Sequence, residues 1–167
     1  MEKEWYALTV KPQHEFRVFQ GLEGIAEVEG FLPFFKDKRI WSDRVKIVDA
    51  PLFPGYVFAR FVYPEFRVPV LRASGVRSIV GSAGAPSPLA EKEIATIRTL
   101  VNSTYPIRPW PFLREGHRVR IGHGPLRGVE GIIIEQKDEW RMVVSVELLQ
   151  RSVSVLLDRS VLSRMAS

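Results

Sequence analysis

The chain has 167 residues, of which 46% are hydrophobic and 26% charged, enough to bury the core of one ordinary domain or of two small ones. It contains no cysteine, which excludes disulfide frameworks, thiol nucleophiles and cysteine-ligated zinc. The balance of 24 Lys plus Arg against 19 Asp plus Glu is mildly basic and holds no dense basic block, so it admits nucleic acid only as part of a shared surface. MEKEWYALTV has no secretory apolar region, and no window approaches the roughly 18 apolar residues of a spanning helix. The expected location is the cytoplasm, with no membrane contact.

Trp5 to Val10 is aromatic and β-branched and predicts a strand. From Pro12 the apolar spacing turns helical through Val18, Leu22, Ile25 and Ala26, weakened by Gly21 and Gly24. FLPFF after Gly30 predicts a short strand, and RIWSDRVKIV two alternating arms around Ser42 and Asp43, a hairpin. GYVFARFV is the strongest strand signal in the chain. A segment containing Pro69 receives no assignment, and Val76 to Val80 predicts a further strand. A helix follows, with Ser87 as its N-cap, Pro88 at the first helical position, Glu91 and Glu93 near the positive dipole end, and Ile94, Ile97, Leu100 and Val101 as its buried stripe.

NSTYPIRPWPFLREG then sets Pro106, Pro109 and Pro111 too close together for a helix or central strand to continue. The expected organisation is a first domain over 1–104, a semi-stiff join over 105–115, part of which packs on a domain because Trp110 and Phe112 would otherwise be exposed, and a second domain over 116–167. The second domain has up to five short β-prone runs: His117–Ile121, Gly131–Glu135, Met142–Glu147, Ser152–Leu157 and Val161–Leu162. About fifty residues cannot bury two sheets but can close a small barrel. The fold class is therefore α+β, a mostly antiparallel sheet flanked by helices and joined to a small β-barrel.

GHGPLRGVEGIII invites comparison with a phosphate cradle. It has no Gly-Lys-Ser/Thr ending and leads into a β-branched run, whereas tight barrel turns need glycine for positive φ and close approach. His14, His117 and His123 have no metal-ligand spacing and fit isolated surface histidines better; no cofactor is expected. Glu91 and Glu93 suit helix-end electrostatics rather than acid–base chemistry. No residue pattern calls for catalysis. PLFPGYVFARF is more informative, because its Pro-Gly turn is flanked by Phe53 and Tyr56 where loops are usually polar. Either Phe53 caps the core or the turn is an aromatic anchor for a protein partner.

WYALTVKPQHE, LFPGYVFARF and VRIGHGPLRGVEGIII followed by VVSVELLQRSVSVLLD resemble, in order and spacing, the NusG family of transcription elongation factors. SVELLQRSVSV looks most like its specialised paralogues, operon-specific antiterminators. The resemblance implies an N-terminal domain that docks on the clamp helices of the largest RNA polymerase subunit and suppresses pausing. It also implies an SH3-like KOW barrel that recruits a small-subunit ribosomal protein or Rho, in a protein expected to be monomeric. The family's docking patch matches Tyr6, Phe53, Pro54 and Tyr56. In the specialised members the contacts with the non-template DNA strand fall in the region of Lys11, His14 and Arg17 and near Arg72 and Arg77, residues that by themselves read more simply as a solvated helix face. The barrel's contact residues match Leu126, Leu148, Leu149, Gln150 and Arg151. Leu149 and Gln150 replace an aromatic and a glycine, and Leu126 a common phenylalanine, which shrinks the apolar anchor and weighs against Rho. Some relatives refold the second domain into a helical hairpin, whereas the β-branched runs here favour the barrel. An RNA-binding KOW protein of the translation apparatus is the alternative, and a phosphate-handling enzyme a distant third.

Overall fold

The computed structural model describes residues 2–82, 84–162 and 165–166, the last two by backbone alone. The chain forms two compact units, Met1–Ile94 and Ala95–Ser167. In the first, β1 (Glu4–Val10), α1 (Glu15–Glu23), β2 (Glu29–Phe31), β3 (Phe34–Trp41), β4 (Arg44–Pro51), β5 (Tyr56–Phe61), α2 (Tyr63–Leu71), β6 (Val76–Ile79), β7 (Gly81–Ser82) and β8 (Ala85–Pro86) precede α3 (Glu91–Asn102). β2, β5, β1 and β6 lie side by side in that order, every pair antiparallel. β3 and β4 form a separate two-stranded hairpin.

The alternation of β1 assigns its two faces. Tyr6, Leu8 and Val10 face one way and pack with Val57, Ala59 and Phe61 of β5, Val18 and Leu22 of α1, and Val70 of α2. On the other face Trp5, Phe31 and Phe58 make a row of aromatic contacts, with ring centroids 6.2 and 6.0 Å apart. Both faces are apolar, which explains why WYALTV and YVFARF read as continuous runs.

Three expectations are corrected. α2 occupies the unassigned segment around Pro69: Pro64 sits in the first turn, where its missing N–H is harmless, but Pro69 inside the helix removes a donor and hid the helical signal. α3 starts at Glu91, not Pro88, because the Leu89 N–H bonds to the Trp5 carbonyl and buried Leu89 is held extended as a bridge to β1. Ala90 opens the helix, its N–H bonded to Glu93 Oε1 at 3.4 Å. α1 stops at Glu23, so Ile25 and Ala26 lie beyond it.

The second unit contains β9 (Ile107–Trp110), β10 (His117–Ile121), β11 (Glu130–Gln136), β12 (Glu139–Val146), a 3-10 turn (Glu147–Leu149), β13 (Arg151–Leu157), α4 (Arg159–Leu162) and β14 (Met165–Ala166). One antiparallel sheet runs β14-β10-β11-β12-β13-β9. Arg141 to Val144 are all buried, so β12 is covered on both faces, as in a small sheet wrapped on its own core. Lys137 and Asp138 both have positive φ and make the two-residue turn between β11 and β12. Four of the five expected runs are strands. Val161–Leu162 is instead helical, because Asp158 caps α4 with its carboxylate 3.1 Å from the Val161 N–H. The proline-rich join supplies β9, an edge strand, where Pro109 needs no ladder partner on its open side.

Candidate functional site

Phe53 to Tyr56 closes as a type II turn: Pro54 leads, Gly55 follows with φ +89°, and the Tyr56 N–H reaches the Phe53 carbonyl at 3.0 Å. Two further bonds hold it. The Gly55 N–H donates to Glu15 Oε2 at 3.0 Å, and the Gly55 carbonyl accepts the Val10 N–H at 3.0 Å. Glu15 is buried in the first turn of α1, so its carboxylate joins the helix start to the turn. The turn is thereby preformed, with Pro54 exposed and Tyr56 half-exposed.

The other two residues of the expected patch lie elsewhere. Phe53 is 1% exposed and meets Phe58 edge-on, centroids 5.6 Å apart at 89°, so it caps the core beneath the turn. Tyr6 is 4% exposed, on the opposite face of the sheet from Tyr56, with its ring 5.0 Å from that of Phe61. Its hydroxyl donates to Glu4 Oε2 at 3.0 Å. Burial raises its pKa from 10.0 to about 12, and the hydrogen bond and charge of Glu4 add to that shift. The four residues are thus two supports and two surface groups.

The basic set gathers more closely. The Lys11 N–H bonds the Gly75 carbonyl at 2.9 Å, and Val10 pairs with Val76. Gly75 has φ +98°, and a Cβ there would stand 2.9 Å from Val18 and 3.2 Å from His14. The start of α1 therefore lies against the loop between Arg72 and Arg77. Lys11, Arg17, Arg72 and Arg77 are exposed, and His14, half-buried, is tied through Nδ1 to the Pro12 carbonyl at 2.9 Å.

In the second unit, Leu126 and Leu149 are buried core residues. Leu148, Gln150 and Arg151 reach the surface around the 3-10 turn. Gln150 adopts φ +50°, the left-handed conformation that glycine takes most easily, and Arg151 Nη1 closes the turn onto the Gln150 carbonyl at 3.1 Å. In the glycine-rich loop, the Gly128 N–H bonds Ile121 and the Arg127 N–H bonds Gly124, so these donors are not aimed at a ligand. Gly131 allows strand contact, since a Cβ there would lie 2.5 Å from the Val143 carbonyl oxygen.

One surface carried no expected site residue although its hairpin was foreseen. Ile40, Val45 and Ile47 project from one face of the β3–β4 hairpin, and Arg39, Trp41, Arg44 and Lys46 from the other. All seven are exposed. Alternation with no apolar face turned to a core was the available signal.

The model of the family described as "Transcription termination factor nusG" matches residues 3–98. "Transcription termination/antitermination protein NusG" of Buchnera aphidicola (subsp. Baizongia pistaciae) is 26% identical over 95% of this chain and 94% of its own. The protein of that name from Campylobacter jejuni is 27% identical over 91% and 88%. A solved structure, "Domain interaction in Thermotoga maritima NusG", shares the fold with a TM-score of 0.62 at 24% identity, over 96% of each chain. The mixed α+β fold and the KOW-like sheet agree with these matches: the chain belongs to the NusG family of transcription termination and antitermination factors.

Proposed function

We propose that this chain is an elongation and antitermination factor without catalytic activity, docking on the clamp helices of the largest RNA polymerase subunit to suppress pausing. The observation that carries this reading is the turn from Phe53 to Tyr56, locked by Glu15 and Val10 before any partner arrives. A preformed turn loses little entropy on binding, and a tyrosine on it is a suitable anchor. Pro54 and Tyr56 make the contact, while Phe53 and Tyr6 hold the turn and sheet beneath them. Lys11, His14, Arg17, Arg72 and Arg77, arranged around Gly75, meet the phosphates of the non-template DNA strand. Leu148, Gln150 and Arg151 form the surface of the KOW domain, with a small-subunit ribosomal protein as its partner rather than Rho. The role is operon-specific, in the cytoplasm, and the protein acts as a monomer.

A pause assay with purified polymerase tests the reading. Added wild-type protein shortens the dwell at a strong pause, and Tyr56→Ala at equal concentration does not. Pausing unchanged by the wild type would count against it.

A further inference from the structure

We propose that the β3–β4 hairpin is a second nucleic-acid site, separate from the Gly75 region, that takes an unpaired DNA strand by stacking a base on Trp41 and holding phosphates with Arg39, Arg44 and Lys46. The register places Arg39 directly opposite Lys46, and Trp41 opposite Arg44. Like charges at directly opposed positions destabilise a strand pair, and an anion bound across both would offset that repulsion. Asp37 reaches Arg39 Nε at 3.4 Å, while among the described residues no carboxylate engages Arg44 or Lys46. Trp41 is 58% exposed, and a depression of roughly 340 Å3 at the end of the hairpin is lined by Trp41, Arg44 and Lys46 together with Val45 of the other face. A large indole held in water beside three cations matches a base flanked by phosphates.

The cations alone would suit duplex DNA, but a duplex offers the indole no open base. An unpaired strand uses both features. The opposite face, with Ile40, Val45 and Ile47, carries Lys36 and Lys38 but no aromatic ring at the tip, so stacking belongs to the Trp41 face. DNA rather than RNA is chosen because the proposed role brings the protein to an open transcription bubble, and to that extent the inference rests on that reading.

The test titrates a labelled oligothymidylate dodecamer into the full chain, following anisotropy and tryptophan emission. Wild-type protein binds with an affinity that falls as salt rises, and its indole emission is quenched. Trp41→Ala weakens binding about tenfold and Trp41→Phe restores most of it. Arg39→Gln with Lys46→Gln weakens binding to a similar degree and flattens the salt dependence. Wild-type affinity in both Trp41→Ala and the double variant would overturn the proposal, as would tighter binding of the matching oligouridylate. Polymerase capture is measured in parallel. If wild type fails to bind polymerase while these oligomer effects stand, the docking reading fails and the hairpin site survives. If Trp41→Ala loses polymerase but keeps the oligomer, the hairpin is a protein contact and the proposal fails.

Discussion

Glu15 and Tyr6 show how single side chains support a surface they do not form. Glu15 is buried, and its carboxylate accepts the N–H of Gly55 from a turn forty residues away along the chain. Glu15→Ala leaves that N–H without its partner, with a loss of about 1–3 kcal/mol on denaturant unfolding, while Glu15→Gln, which keeps an acceptor oxygen, recovers much of it. Tyr6 gives a pH signature. Its pKa rises from 10.0 unfolded to about 12 folded, so the native state keeps a proton that the unfolded chain releases. Its contribution is present below pH 10 and is lost as pH climbs toward 12, by roughly 2–3 kcal/mol. Tyr6→Phe has no hydroxyl to ionise, and its unfolding free energy is expected to fall less than that of the wild type over the same pH range. The sequence motifs mark the positions of Tyr6, Phe53 and Tyr56 but not their exposure. A run such as PLFPGYVF is apolar on both sides of the turn, and only the fold decides that Phe53 turns inward onto Phe58 while Tyr56 stays half-exposed.

Elements were read well where one periodicity dominated. β1, β5, the β3–β4 hairpin and four strands of the second unit follow the alternation and turn chemistry of the sequence. α2 was hidden by Pro69, and the start of α3 was displaced by Leu89, whose bridge to β1 is a tertiary contact that no local pattern encodes. α4 had a local signal in Asp158 and Ser160, outweighed by two β-prone residues. β9 is held by a side chain of its own and by one from β12, distant along the chain. The Trp110 ring lies 5.1 Å from the guanidinium of Arg108 and 5.0 Å from that of Arg141, fixing the edge strand to the sheet. Trp110→Ala should therefore loosen β9 selectively. Hydrogen exchange is the measurement: amides of β9 lose protection by about tenfold or more, while those of β11 and β12 keep theirs.

The whole molecule divides the work between a first unit that carries a locked turn, a basic region and an exposed hairpin, and a second whose sheet presents a short polar loop. The family was legible from three motifs in order, because each motif encodes a strand, a turn and their spacing together. Site residues were less legible, since a motif marks a position without saying whether its side chain faces water or core. Among the described residues no helix is long and apolar enough to cross a membrane.

The proposed docking of the Pro54–Tyr56 surface on polymerase is tested most directly by titrating the full chain with a fragment carrying the clamp helices of the largest subunit. Phe53→Ala is a poor probe, because removing a buried phenylalanine costs about 3–5 kcal/mol of stability and confounds binding with folding. Tyr56→Ala, compared at a thermal midpoint close to that of the wild type, should weaken binding by tenfold or more, the loss expected of an interface anchor. Wild-type affinity in a folded Tyr56→Ala protein would contradict the account.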